Sequence, residues 1–179
     1  MNLKTKQGLL VVGAVLAAAT FSQAFAGNDA DLTTVPSVDL GRYTGKWYEI
    51  ARYPNRFQKN CTGNVAANYR QLPDGKIEVV NECRKSNGEL NVAKGKAKVS
   101  DTKSNAKLRV TFFWPFYGDY WIIGLDPDYR WAVVGEPSRK YLWILSRTPE
   151  LSAADYDAAL GVVRSKGYAP DKLVKTPHH

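Results

Sequence analysis

Histidine is nearly missing from this chain. The only two, His178 and His179, stand at its far end, so a Ser-His or Cys-His pair would have no base inside the fold. Two cysteines, Cys61 and Cys83, plus two terminal histidines fall short of a closed zinc site. No glycine-rich phosphate loop occurs. The acidic pair Asp126 and Asp128 flanks Pro127 in turn-forming sequence. No catalytic residue, metal site or cofactor is therefore assigned. Internal repeats and low-complexity tracts are absent too.

Long apolar runs are confined to the start. Residues 8–19 are apolar, follow Lys4 and Lys6, and are too few to span a bilayer comfortably. Ala24-Phe25-Ala26 has the small-x-small form of a cleavage site, so residues 1–26 read as a signal peptide cut after Ala26. The alternative is an uncleaved anchor. The first cysteine is Cys61, so there is no lipoprotein cysteine at the cut. The reading is an exported, soluble periplasmic protein, with any association with the outer membrane peripheral. Loss of Lys4 and Lys6 leaves 23 basic against 17 acidic residues, a net charge of +6. That modest excess suits an anionic membrane surface. It is scattered, so nucleic acid is not an expected partner.

Residues 27–38 are polar and turn-rich and read as a loose leader, followed by one domain over 39–175 and a tail over 176–179. Within the domain, short stretches of alternating polarity recur between breakers. The clearest pair places Val65, Ala67 and Tyr69 before Pro73-Asp74-Gly75, and Ile77, Val79 and Asn81 after it. Pairing across that turn sets Tyr69 near Val79, with the apolar sets on one face. Further stretches run over 47–53, 90–99, 107–114, 120–125, 131–136 and 141–147. About eight short strands with tight connections predict an all-β antiparallel sandwich or closed barrel. In 90–99, Lys94, Lys96 and Lys98 mark the solvated face. One helix closes the domain. Ser152 caps it, Asp155 stands in the capping-box position, Tyr156, Leu160 and Val163 form its stripe, and Gly167 stops it. Residues 39–43 predict a short helical turn closing the bottom of the fold.

Cys61 and Cys83 flank the hairpin, and an even count in an exported chain favours a disulfide. It would close a loop of about 22 residues and stabilise by about 3 kcal/mol. Simple hairpin register puts the two somewhat out of line, so two free thiols remain the alternative unless the loop after Phe57 folds back. The positive clue is the aromatic content. Trp47, Trp114, Trp121, Trp131, Trp143 and Tyr69 lie mostly on strands, beside small residues Ala67, Ala93, Gly95 and Ala97. Small inward residues facing large aromatics suit a barrel that keeps a cavity for a small hydrophobic ligand.

Three short sequences carry a family resemblance: Gly45-x-Trp47 on the first strand, Asp126-Pro127-Asp128-Tyr129 after the sixth, and Arg147 ending the last. In that order, with the helix behind them, they resemble the signature motifs of the lipocalins. The stretches 47–52, 112–118 and 143–149 are similar to the bacterial outer-membrane lipocalins and apolipoproteins D. The match spans about 36–175. The resemblance implies an eight-stranded up-and-down β-barrel, a calyx open at one end, with one C-terminal α-helix packed outside. It implies Arg147 lying across Trp47 at the closed end, a cation–π contact of about 1 kcal/mol or more. It implies a fatty acid or lysophospholipid as ligand, with roles in lipid storage, transport or membrane repair. The missing lipoprotein cysteine departs from the anchored members. Alternation, with similarity at Tyr69, Trp121 and Trp143, predicts a pocket lined by Val65, Ala67, Tyr69, Val79, Asn81, Leu108, Val110, Phe112, Trp121, Ile123 and Trp143. The expected state is a monomer or weak dimer. Two other readings stand beside it: a lipocalin-fold isomerase or synthase acting on a lipid, and a module using the barrel's outside.

Overall fold

The computed structural model describes residues 31–179. The expected signal peptide and its cleavage site lie outside the described residues. The chain runs α1 (Leu40–Tyr43), β1 (Gly45–Arg52), a 3-10 turn (Arg56–Gln58), β2 (Gly63–Gln71), β3 (Ile77–Arg84), β4 (Leu90–Val99), β5 (Lys107–Phe113), β6 (Phe116–Leu125), β7 (Trp131–Gly135), β8 (Leu142–Ser146), α2 (Ala153–Ser165), a second 3-10 turn (Pro170–Lys172) and β9 (Val174–Lys175). Strands β1 to β8 pair with their sequence neighbours, and β8 returns to β1. The result is a closed antiparallel up-and-down barrel of eight strands, with β9 as an extra strand on β1.

Two apolar clusters sort the faces. The inner one holds Trp47, Tyr69, Ile77, Val79, Ala97, Leu108, Ile122, Val134 and Leu145. The outer one holds Ala51, Tyr53, Ile123, Trp131, Val133, Leu142 and Ile144, packed under Ala159 and Val163 of α2. Strands β6 to β8 are therefore apolar on both faces, and all of β7 is buried. On β4, whose outer face has no helix over it, the lysines alternate outward as expected. Helix α2 starts where the sequence places it: the Ser152 hydroxyl accepts the Asp155 N–H, and Gly167 at φ +75° ends it. It approaches β6 closely at Gly124, where a Cβ would lie 2.7 Å from Val162 Cγ1.

Two boundaries differ from the sequence reading. The leader is not loose where it is described. Leu32 and Val38 are buried, and the Val35 and Val38 amides donate to Ile122 O and Ser104 O. Their apolar side chains outweigh the polar residues between them. Strand β6 also begins at Phe116 rather than near Tyr120. Pro115 interrupts pairing only at the turn, and the aromatic residues behind it resume the strand.

Candidate functional site

At the closed end the signature residues converge. Gly45 at φ +90° admits the chain into β1 from α1. Trp47 is fully buried, and its indole N–H donates to Tyr43 O at 2.7 Å. The Arg147 guanidinium lies 3.8 Å from the Trp47 ring centroid. It donates to the carbonyls of Thr44, Lys46, Arg42 and Tyr129, which close the end of the barrel. Asp126 caps the turn after β6, accepting from the Asp128 and Arg130 amides and from the Arg130 guanidinium. Hydrogen bonds from Arg130 hold its carboxyl below the usual range. The Tyr129 hydroxyl accepts the Asp39 amide. Gly45, Trp47, Asp126, Tyr129 and Arg147 thus form one structural unit.

Above Trp47 the barrel floor is a chain of three phenols. Tyr120 Oη lies 2.9 Å from Tyr43 Oη and 3.0 Å from Tyr69 Oη. Burial pushes all three pKa values up, Tyr69 to about 12. Beside them a cavity of about 10 Å³ is lined by Ile77, Ala97, Leu108 and Val110 among others. That is room for about one water, so the floor is packed. Further up, Ala67, Asn81, Ala93, Gly95, Val110 and Trp143 face inward yet stay half-buried.

Most of the predicted lining is brought together on this wall. Tyr69, Val79 and Leu108 are buried in the inner cluster, with Ala67, Val110 and Trp143 packed against it. Asn81 pairs in register with Ala67, and its Oδ1 is buried without a hydrogen-bond partner. Phe112 lies over Gly95 near the rim, where a Cβ on Gly95 would come within 2.8 Å of its ring. Val65 is buried but belongs to neither cluster, just beyond a register shift in β2. Trp121 and Ile123 are corrections: they lie on the outer face, in the cluster beneath α2. Tyr120 and Ile122 hold the inner positions instead. Alternation could not choose between the faces because both are apolar on β6.

A polar group at the rim was not foreseen. Glu49, only 3% exposed, accepts from Gln58 Nε2 and Thr176 Oγ1, and faces Arg52 Nε at 3.1 Å. Burial raises its pKa. Gln58 Oε1 in turn accepts from the Trp143 indole and from Asn55. This ties the 3-10 turn over the mouth to β8. Tyr141 stacks on Trp143, and Phe57 packs on Tyr141. Glu49 was legible, being in phase with Trp47; Arg52 was not, because a register shift between Glu49 and Ala51 changes its face. Cys61 and Cys83 are bonded. The Cys61 amide donates to Gln58 O, which is the fold-back the pairing required. The C-terminal tail is strapped along β1: Thr176 N donates to Ile50 O, and the His178 ring bonds to Glu49 O.

Comparison with known proteins agrees with this architecture. A family model described as a lipocalin-like domain matches residues 38–178. Temperature-induced lipocalin-1 of Arabidopsis thaliana is 42% identical over 155 residues, covering 82% of this chain and 83% of that one. Outer membrane lipoprotein Blc of Citrobacter freundii is 42% identical over 144 residues, covering 80% and 81%. Apolipoprotein D of Mus musculus is 34% identical over 148 residues, covering 77% and 76%. Among solved structures, insecticyanin of the tobacco hornworm Manduca sexta superposes with a TM-score of 0.69 at 21% identity, covering 84% and 86%, a likeness of fold. With three signature segments meeting at one sealed end of an eight-stranded calyx, and with relatives above 40% identity over most of the chain, the chain belongs to the lipocalin family.

Proposed function

We propose that this protein is exported and carries one fatty acid or lysophospholipid per barrel, without converting it. The observation that carries the reading is the contrast within the inner wall. The floor at Tyr43, Tyr69 and Tyr120 is packed, while Ala67, Gly95, Val110 and Trp143 above it keep apolar surface within reach of solvent. Burying about twelve methylenes there would contribute about 10 kcal/mol gross. Ordering and association costs offset several of those, leaving micromolar or tighter affinity. The relative named as an outer membrane lipoprotein supports a place in the bacterial envelope. Among the described residues no helix is long and apolar enough to cross a membrane.

The ligand is exchanged at a lipid surface. Phe113, Trp114 and Phe116 form the tip of the β5–β6 hairpin and are 76%, 78% and 72% exposed. Lys98 and Arg109 stack on Tyr117 just below. An apolar tip with a cationic collar suits the boundary of an anionic bilayer. Conversion of the ligand would need a reactive group, but both cysteines are bonded and Glu49 is engaged by Gln58, Thr176 and Arg52. Mass spectrometry of lipids extracted from natively purified protein tests the reading. One acyl lipid per chain supports it; a stable protein partner with an empty barrel refutes it. Ala67→Asp should abolish binding and leave the fold intact.

A further inference from the structure

We propose that Arg52 anchors the anionic head group of the bound amphiphile, so that the calyx selects acidic lipids over neutral ones with the same chain. The inference rests on the calyx reading above. Strand β1 leaves the closed end at Gly45 and reaches the mouth at Arg52, five residues past Trp47 and so about 16 Å up the wall. The register shift between Glu49 and Ala51 sends Ala51 out beneath α2 and makes Arg52 the cross-strand partner of Trp143, which faces the interior. The Arg52 side chain is only 15% exposed.

A guanidinium in that position has five N–H donors and stays charged. Among the described residues its charged neighbour is Glu49, at 3.1 Å from Nε, and Nε itself is buried without a hydrogen bond. Glu49 meets Arg52 at Nε alone, while its two oxygens also accept from Gln58 and Thr176. No other partner of the Arg52 guanidinium is found among the described residues. Nε is thus a buried donor with its hydrogen bond unmade, which is costly, and among the described residues the two terminal nitrogens carry no hydrogen bond either. A carboxylate or phosphate oxygen pair matches the free edge of the fork. With the head held there, the acyl chain runs down past Val110 and Ala67 toward the phenol floor.

The test uses three ligands sharing one chain: palmitate, 1-palmitoyl-lysophosphatidate and uncharged 1-palmitoylglycerol, titrated by tryptophan fluorescence and calorimetry. Wild-type protein should prefer both anions by about tenfold, the worth of a charge-assisted hydrogen bond. Arg52→Met keeps the apolar stem and should level the three affinities by weakening only the anions. Glu49→Gln removes the competing charge while keeping the shape and one of the two acceptor oxygens, and should tighten the anions while leaving palmitoylglycerol within about twofold. That second variant keeps the question open to refutation even if Arg52→Met fails to fold. Equal wild-type affinity for all three lipids, or equal weakening of all three in Arg52→Met, overturns the head-group role alone. Failure of the wild type to bind any of them overturns the calyx reading and this inference together.

Discussion

The two ends of the barrel use the same residue types to opposite effect. At the closed end an arginine, a tryptophan and a carboxylate are fully engaged: Arg147 meets four backbone carbonyls and the Trp47 ring, and Asp126 meets four N–H donors. At the mouth an arginine, a tryptophan and a carboxylate recur as Arg52, Trp143 and Glu49, but with donors and apolar surface left over. Aromatic side chains show the same split. Trp47 is fully buried, whereas Trp114 is 78% exposed. Satisfied groups hold a fold, and unsatisfied ones at an opening point to something that is to arrive there. Stability should therefore reside at the closed end and ligand discrimination at the mouth.

The largest expected effect is at the sealed end. Trp47→Ala removes a fully buried indole and its hydrogen bond to Tyr43 O, and should cost about 3–5 kcal/mol in denaturant unfolding. Arg147→Ala should cost about 1–3 kcal/mol by uncovering Trp47 and freeing four carbonyls. An unchanged midpoint for either would break the division. Replacing Cys61 and Cys83 together by serine should cost about 3 kcal/mol, since the bond closes a loop of 22 residues. If ligand affinity also falls, the loop carrying Gln58 belongs to the mouth as argued.

The two carboxylates sharpen the comparison in smaller steps. Asp126 has a lowered pKa because Arg130 hydrogen-bonds its charged form. Its contribution is present above the unfolded value near 4 and is lost as pH falls through the lower folded value. Glu49 has a raised pKa because burial penalises its charge. Its contribution runs the other way: greatest below the unfolded value, and lost as pH rises through the folded one. Carbon-detected NMR titration should therefore show Glu49 protonating at higher pH than Asp126. Asp126→Asn should flatten the acid limb of the stability curve. The reverse order of titration would place the two environments the wrong way round.

Much of this was readable from the chain, for identifiable reasons. The β2–β3 hairpin was legible because its outer face is polar and its turn is Pro73-Asp74-Gly75. So were the β4 lysines and the Ser152 cap. Trp121 and Ile123 were misplaced because α2 makes the outer face of β6 as apolar as the inner one. Arg52 was hidden by the register shift after Glu49, which alternation cannot anticipate. Gln58 was hidden because it acts from a loop, where position depends on the disulfide and on tertiary contacts to Glu49 and Trp143.

The smallest expected effect on stability falls at the hairpin tip, where the effect on membranes should be greatest. Phe113 and Trp114 are 76% and 78% exposed, so Phe113→Ser with Trp114→Ser removes little buried area and should change unfolding free energy by no more than about 0.5 kcal/mol. Each side chain, once immersed in a bilayer, would contribute about 1.5 kcal/mol or more, about tenfold in partitioning. The double variant should thus lose about a hundredfold in binding to vesicles containing anionic lipid. Affinity for a lysophospholipid already in solution should stay as in the wild type, because neither side chain belongs to the inner wall. Raising salt should weaken wild-type vesicle binding only in part, since Lys98 and Arg109 are screened but the aromatic tip is not. Equal vesicle binding by the variant and the wild type would mean that lipid is exchanged elsewhere on the barrel.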